Sequence, residues 1–266
     1  MSAAGGGSLS GGSLSRGGLS RGGLSRGLGV VPREFLDRPA LTVAPALLGC
    51  VLAHETDDGL VAVEIAEVEA YRGESDPASH AFRGKTARNA VMFGEPGHAY
   101  VYFTNGMHFC VNLVCQPSGE PAAVLLRAGR VVEGDGLAAA RRLAGRRGTT
   151  GASGGVPAGG ASRDGAASVG GQVVGERELA RGPARLCQAL AIDRAQNGAD
   201  VCDPGSPLRL LAAAGFVGLP AASIGRGPRV GVRHGAEADW RFWTVGEPAV
   251  SAYRPYAPRR RSAGRR

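Results

Sequence analysis

The sequence has 266 residues, a net charge of +8 and 43% hydrophobic residues. This apolar share is enough for a packed core, which excludes a wholly disordered chain, and no stretch reaches the roughly 20 apolar residues of a transmembrane helix. The five cysteines lack the paired spacing of a zinc site and lie among apolar neighbours, which favours buried, reduced thiols over disulfides. The positive charge fits a polyanionic partner, although part of it lies in the two ends of the chain.

Three segments of biased composition flank or interrupt one predicted domain. Residues 1–28 repeat a Gly-Gly-Leu-Ser-Arg unit without any acidic residue, which predicts a flexible basic tail. Their Arg- and Ser-rich composition is also typical of an organelle transit peptide, but the glycine content favours the tail, and they lack the apolar run of a secretory signal. A Gly/Ala/Ser-rich insert covers about 144–175, and 256–266 form a second basic tail. The rest of 29–255 has the size of a single domain.

In chain order, the predicted elements are mostly strands. A helix at 42–48, capped by Thr42, precedes strands at 49–54 and 60–70, a polar loop at 76–89, and hairpin strands at 99–103 and 107–115. A buried strand at 122–128, helices at 131–143 and 183–192, and short strands at 208–211, 229–233 and 241–245 follow. Strands joined by hairpins, with helices outside them, predict an α+β domain: a largely antiparallel curved sheet, flanking helices and a protruding β-hairpin.

The predicted strand at 60–70 carries the most unusual pattern in the chain. Strict alternation from residue 61 onward would place one set of side chains on a single face: Val61, Val63, Ile65, Glu67, Glu69 and Tyr71. A carboxylate on the inward face of a strand needs a partner, a raised pKa or a chemical role. Spacing alone does not decide which of the two glutamates has that role.

Eight motifs occur in order along the chain: E-V-E-A-Y, D-P-A-S-H, T-A-R-N, M-F-G-E-P-G, Y-V-Y-F, G-M-H-F-C-V-N, V-L-L-R and G-P-A-R-L-C-Q-A-L-A-I. Together they resemble the 3-methyladenine (alkyladenine or methylpurine) DNA glycosylase family over about 36–252, outside the insert. The resemblance implies a base excision repair enzyme that flips an alkylated or deaminated purine out of double-stranded DNA and hydrolyses its N-glycosidic bond. It further implies a monomer without cofactor or metal, located in the cytoplasm beside the DNA of a bacterial nucleoid.

Two of the matched positions would carry the chemistry. By the resemblance, Glu69 is the general base that deprotonates a water and balances positive charge at C1′ of the sugar. Arg127 matches an arginine that helps to set the water and the sugar phosphate, and its alternative is a structural ion pair. Glu67, His98 and His108 are interpreted as satisfied structural groups.

Four matched positions would bind the flipped base: Tyr71, His80, Tyr102 and Asn112. The first three would stack on the base and hydrogen-bond its edge, while Asn112 would exclude normal guanine by crowding its exocyclic amine. Without the motifs, His80 would be a surface histidine and Asn112 a strand-end cap. Either Tyr100 or Tyr102 is expected to be a core aromatic.

The number of lysines indicates the type of reaction independently of the family resemblance. A glycosylase that also nicks the backbone uses an amine to form a Schiff base, and arginine stays protonated. The chain has a single lysine, Lys85, in the polar loop. There, Lys85 and Arg88 are better interpreted as DNA phosphate contacts. A monofunctional enzyme that leaves an abasic site is therefore expected.

The tip of the 99–115 hairpin departs from the family pattern. Asn105 stands where members carry a tyrosine wedge, and asparagine is too small and polar to replace its stacking. Met107 is an alternative wedge. A two-residue turn would put Tyr102 and Asn112 on opposite faces of the sheet, so a loop of odd length is favoured.

Two other classes of function stay open. One is a non-catalytic DNA-binding protein derived from the same fold. The other is a metal-dependent hydrolase built from a set of carboxylates and imidazoles: Glu67, Glu69, His80, His98 and His108. No H-E-x-x-H motif or closed Cys/His spacing supports a metal site.

Overall fold

The structure, a computed structural model, describes residues 27–104, 106–147, 166–169 and 172–257. Its strands are β1 (Leu28–Val30), β2 (Val51–Thr56), β3 (Gly59–Tyr71), β4 (Ala99–Thr104), β5 (His108–Cys115), β6 (Ala122–Glu133), β7 (Ala166–Val169), β8 (Gln172–Gly175), β9 (Leu208–Ala213), β10 (Ile224–Gly227) and β11 (Arg241–Thr244). Its α-helices are α1 (Ala40–Leu47), α2 (Asp135–Arg147) and α3 (Pro183–Leu190). The expected α+β fold is confirmed.

Nine of the described strands form one antiparallel sheet. Its order is β1-β9-β2-β3-β6-β5-β4, and β11 pairs with β3 on one side and β10 on the other. β2 pairs with the first half of β3, whereas β11 pairs with residues 67–69 of β3, so this long strand changes its neighbour midway. None of the helices in the described ranges is long and apolar enough to cross a membrane.

The helices cover the core face of the sheet. α3 begins with Pro183 at its first turn, where the missing N–H costs no hydrogen bond. Its buried Leu186 and Leu190 join one apolar cluster with side chains from α1 and the central strands. The prediction of Thr42 as the cap of α1 is wrong: the helix begins two residues earlier, directly after Pro39, and ends before Gly49 at φ +88°.

The pairing of β3 with β6 is irregular near the middle of β3, and the predicted alternation along the whole strand is therefore wrong. The pairing register skips Ala66 on β3 and Arg127 on β6. Upstream of this bulge the side chains at 61, 63 and 65 face the apolar core, and downstream those at 68 and 70 do. Glu67, Glu69 and Tyr71 therefore lie on the face opposite to Val61, Val63 and Ile65, because one extra residue reverses the alternation.

The β4–β5 hairpin has the favoured odd-length loop. Thr104 pairs with His108, so residues 105–107 connect the strands, and Gly106 adopts φ +68°. Tyr100 pairs with Asn112, and Tyr102 pairs with Cys110. Tyr102 and Asn112 consequently lie on the same face of the sheet.

The predicted tails and insert are only partly described. β1 begins at Leu28, the last residue of the predicted N-terminal tail, and α2 extends through Arg147 into the predicted insert. β7 and β8, which pair with each other, also fall within 144–175. The remaining residues of the insert lie outside the described residues, as do both chain ends, 1–26 and 258–266.

Candidate active site

A cleft of about 410 Å³ opens between the ends of β3 to β6 and a loop near the C-terminus. It is lined by residues from six segments: Glu69, Tyr71, Pro77, Ala78, His80, Tyr102, Thr104, His108, Cys110, Leu125, Arg127, Pro183 and 230–234. The cleft brings together four of the predicted residues of the site, Glu69, Tyr71, His80 and Tyr102, with Arg127. His108, interpreted from sequence as structural, also lines it.

Glu69 is a buried carboxylate whose side chain lines the cleft. Oε1 accepts the backbone N–H of Val230 at 2.7 Å and lies 3.2 Å from Nη1 of Arg127. Oε2 accepts the hydroxyl of Tyr71 at 2.9 Å. A carboxylate offers about four acceptor sites, so these three donors leave one for a molecule in the cleft.

Glu67 is also buried, and its carboxylate accepts four hydrogen bonds from protein groups. Oε1 accepts Arg127 Nε at 2.7 Å, Arg241 Nε at 2.8 Å and the Ser251 hydroxyl at 2.8 Å, and Oε2 accepts the Ser251 N–H at 2.7 Å. Burial alone would raise the pKa of Glu67, but the charges of Arg127 and Arg241 outweigh it and hold the pKa below its ordinary value. Glu67 does not line the cleft, and its interpretation as a satisfied structural group is confirmed.

Arg127 joins the two carboxylates. Its Nε donates to Glu67, while Nη1 faces Glu69. Burial opposes its charge, yet Glu69 and Glu67 together raise the pKa of Arg127 above its ordinary value. The guanidinium is thus in an ion pair with one glutamate and lines the cleft beside the other; its role in setting the water stays a prediction.

Three aromatic side chains form one wall of the site. Tyr100 is buried, whereas Tyr102 lines the cleft. The two tyrosine rings stack on each other with their centres 5.5 Å apart. His80 packs edge-on against Tyr102 at 4.5 Å, and its Nδ1 lies 2.9 Å from the Tyr100 hydroxyl. Tyr100 is therefore the core aromatic and Tyr102 the one available to a ligand.

The imidazole of His80 is held neutral although part of its surface is open. Loss of water around the ring, followed by the positive charge of Arg88, lowers the pKa of His80 to about 4. Arg88 lies with Cζ 5.6 Å from the centre of the Tyr102 ring. A neutral imidazole has one N–H donor and one acceptor nitrogen, and because Nδ1 of His80 bonds the Tyr100 hydroxyl, Nε2 is the nitrogen left for a ligand.

Asn112 lies beside the cleft in a smaller cavity of about 50 Å³, which shares Tyr71, His80 and Tyr102 with it. Its side-chain amide is buried and donates to the Tyr100 carbonyl at 3.0 Å. This bond fixes the amide orientation, leaving the side-chain oxygen as an acceptor.

Three other predicted residues, Lys85, Arg88 and Met107, are not among the residues that line the cleft. Lys85 is exposed, with Nζ 5.8 Å from the centre of the Phe93 ring. Met107, at the hairpin tip, keeps 64% of its surface exposed. Asn105 lies outside the described residues.

The prediction of a strand at 229–233 is wrong, because these residues form a loop. The alternation around Val230 and Val232 resembles a strand, but Gly231 has φ +68° and the segment turns across the cleft. This turn supplies the Val230 N–H to Glu69. The flanking G-R-G-P sequence is the turn signal that could have indicated a loop.

Of the residues considered for a metal site, Glu69, His80 and His108 line the cleft, whereas Glu67 and His98 do not. His98 bonds the Glu95 carbonyl through Nδ1 and pairs with Asp200, outside the cleft. Within the described ranges, no three His, Cys, Asp or Glu side chains are grouped so that they could hold a metal ion. Glu67 and Glu69 bind arginines instead.

Comparison with known proteins identifies the family of the chain. The family model described as methylpurine-DNA glycosylase matches residues 34–248. The chain is 49% identical over 231 residues to a protein of Streptomyces avermitilis (86% of this chain, 94% of the relative) and 47% identical over 221 residues to one of Leifsonia xyli (81% and 88%). A Methanocella arvoryzae protein is 42% identical over 231 residues, covering 85% and 98%. All three are named provisionally as 3-methyladenine DNA glycosylases. The chain belongs to the methylpurine-DNA glycosylase family.

Proposed function

We propose that this chain is a monofunctional DNA glycosylase that hydrolyses the N-glycosidic bond of an alkylated or deaminated purine and leaves an abasic site. The observation that carries the proposal is the buried carboxylate of Glu69, which lines the cleft with one acceptor site unused. A water bound there would be oriented and deprotonated by Glu69 as it attacks C1′. The negative charge of Glu69 also balances the positive charge that grows on the sugar.

The purine would reach this water by rotating out of the duplex into the cleft. Tyr71 and Tyr102 offer ring faces, and neutral His80, whose Nδ1 already bonds the Tyr100 hydroxyl, offers Nε2 to the edge of the base. Asn112, fixed by Tyr100, would crowd the exocyclic amine of guanine and so exclude it. Arg88 and Lys85, both exposed next to this wall, are proposed to contact DNA phosphates.

Water rather than an amine is the proposed nucleophile. The chain has one lysine, and Lys85 lies on Phe93, not in the cleft. An amine outside the cleft is poorly placed to attack C1′ of a nucleotide whose base lies inside it.

The reaction is tested by incubating the protein with a methylated duplex. We expect free methylated purine and abasic sites that break only after alkali or heat, without an adduct trapped by borohydride. A trapped adduct that is absent with Lys85→Ala would overturn the monofunctional mechanism. Tight DNA binding without release of any base would indicate the non-catalytic DNA-binding alternative.

The hairpin tip is proposed to fill the gap that the flipped nucleotide leaves. If Asn105 stacks too weakly for this role, Asn105→Tyr raises the single-turnover rate on a stably paired lesion and hardly changes it in a single strand. If exposed Met107 is the wedge, Met107→Ala lowers the ratio of the two rates and Asn105→Tyr leaves it unchanged. A ratio that neither substitution changes would contradict both assignments.

A further inference from the structure

A buried cation lies behind Tyr71. The side chain of Arg229 is 0% exposed, and its Cζ is 4.6 Å from the centre of the Tyr71 ring and 4.9 Å from that of Trp240. Tyr71 lines the cleft, whereas Arg229 does not. The guanidinium therefore occupies the side of the tyrosine ring that faces away from the cleft, between two aromatic rings.

Asp76 holds this cation by its edge. Arg229 Nη1 and Nη2 donate to the two oxygens of Asp76 at 2.5 and 2.9 Å, and Nη1 also donates to the Ala70 carbonyl at 3.1 Å. A bidentate ion pair occupies the edge of the planar guanidinium. The two flat faces of the guanidinium therefore remain free to contact the rings of Tyr71 and Trp240. The positive face thus meets Tyr71, and the compensating carboxylate lies to the side.

A flipped base would meet the same ring from the cleft. The π electrons of Tyr71 attract Arg229 on one side, and a positively charged base on the other side would be repelled by that guanidinium through the ring. Purines methylated on a ring nitrogen such as N7 carry a fixed positive charge, whereas deaminated purines are neutral. The two kinds of lesion therefore differ in their interaction with Arg229.

We propose that Arg229 is a specificity-determining residue of the base pocket, whose guanidinium behind Tyr71 disfavours positively charged purines relative to uncharged ones. This inference rests on the proposed function and adds a substrate preference to it. It also gives a role in recognition to an arginine that lies behind the pocket wall.

The test compares two duplexes, one with a single 7-methylguanine and one with a single hypoxanthine, by kcat/KM for base release. The ratio of the two values is compared between variants, so that differences in bond lability and base pairing cancel. Arg229→Gln combined with Asp76→Asn removes both buried charges together and should raise the 7-methylguanine to hypoxanthine ratio about five- to tenfold. Asp76→Asn alone leaves the cation uncompensated and should lower the ratio.

Two further variants complete the experiment. Arg229→Lys loses the bidentate geometry but keeps a positive charge beside Asp76, and because the proposed effect depends on that charge the ratio should stay within about twofold, even if the double variant fails to fold. Arg72→Gln is the matched control, since Arg72 is exposed and contacts Trp240 at 5.5 Å without reaching Tyr71, and its ratio should not change.

The outcomes separate the inference from the proposed function. If both rates fall together in the double variant and in Asp76→Asn, Arg229 only supports the fold and the inference is wrong. A changed ratio in Arg229→Lys, with the double variant and Asp76→Asn both unfolded, would also contradict it. If the unaltered protein releases neither base, the proposed function itself fails.

Discussion

Glu67 and Glu69 are two residues apart on one face of β3, both are buried, and both bind Arg127. Their surroundings nevertheless differ. Glu67 accepts four hydrogen bonds from two arginines and Ser251, away from the cleft. Glu69 has three donors and lines the cleft. The comparison shows that two carboxylates on the same face of one strand can differ in the number of their donors and in access to the cleft, and we propose the reactive role for the one that lines the cleft.

The largest expected effect is on the reaction rate. Glu69→Gln keeps the shape of the side chain but removes the base, so single-turnover base release should fall by about two to four decades. Binding to a duplex with an uncleavable lesion analogue should stay within a few-fold. Base release by the variant at the rate of the unaltered protein would show that Glu69 is not the base.

The next effect is on stability, and it concerns the other carboxylate. Glu67→Gln leaves two buried arginines without their shared charge, so the free energy of unfolding should fall by about 3 kcal/mol. Glu69→Gln should lose less, because Arg127 keeps Glu67. Urea unfolding of both variants measures the difference, and equal losses would show that Glu67 has no special structural role.

The contribution of Glu67 should depend on pH in a defined direction. Its pKa is lowered in the folded state, so ionised Glu67 stabilises the fold above its unfolded pKa of about 4.3, and this stabilisation is lost as pH falls through the folded pKa. The stability difference between the unaltered protein and Glu67→Gln should be constant from pH 5 to 8, in urea unfolding at a series of pH values, and shrink below about pH 4. A difference that grows on acidification would have the wrong sign.

The smallest expected effect comes from Ser251, which closes the Glu67 cluster from the C-terminal segment. Ser251→Ala removes the hydroxyl donor but keeps the N–H, so the expected loss is about 1 kcal/mol. Ser75→Ala is the control, since Ser75 bonds only the Arg72 carbonyl at the surface. Equal melting temperatures of the two variants would show that the Ser251 hydroxyl does not stabilise the Glu67 cluster.

Part of this site could be predicted from the sequence because its signals are local. Alternation and turn residues indicated β3 and the β4–β5 hairpin, and the resemblance selected Glu69 over Glu67. The bulge could not be predicted, because it depends on how β3 and β6 pair. The partners of the carboxylates are also remote: Val230 is 161 residues from Glu69, and Ser251 is 184 residues from Glu67. Such contacts leave no periodic pattern in the chain.

Arg229 shows the same limit. As one arginine among many, with Val230 and Val232 after it, it fitted a short strand. Its burial between two rings depends on Asp76, 153 residues earlier in the chain. Only the folded arrangement distinguishes this arginine from those at the surface.

The central claim, that Glu69 acts as the base while Glu67 holds Arg127 in place, is tested most directly by one paired measurement. Glu69→Gln and Glu67→Gln are compared in single-turnover release of the same methylated purine, at a temperature where both are folded. The account predicts that Glu69→Gln is slower than Glu67→Gln by at least about a hundredfold. Glu67→Gln as the slower enzyme, with Glu69→Gln near the unaltered rate, would contradict it.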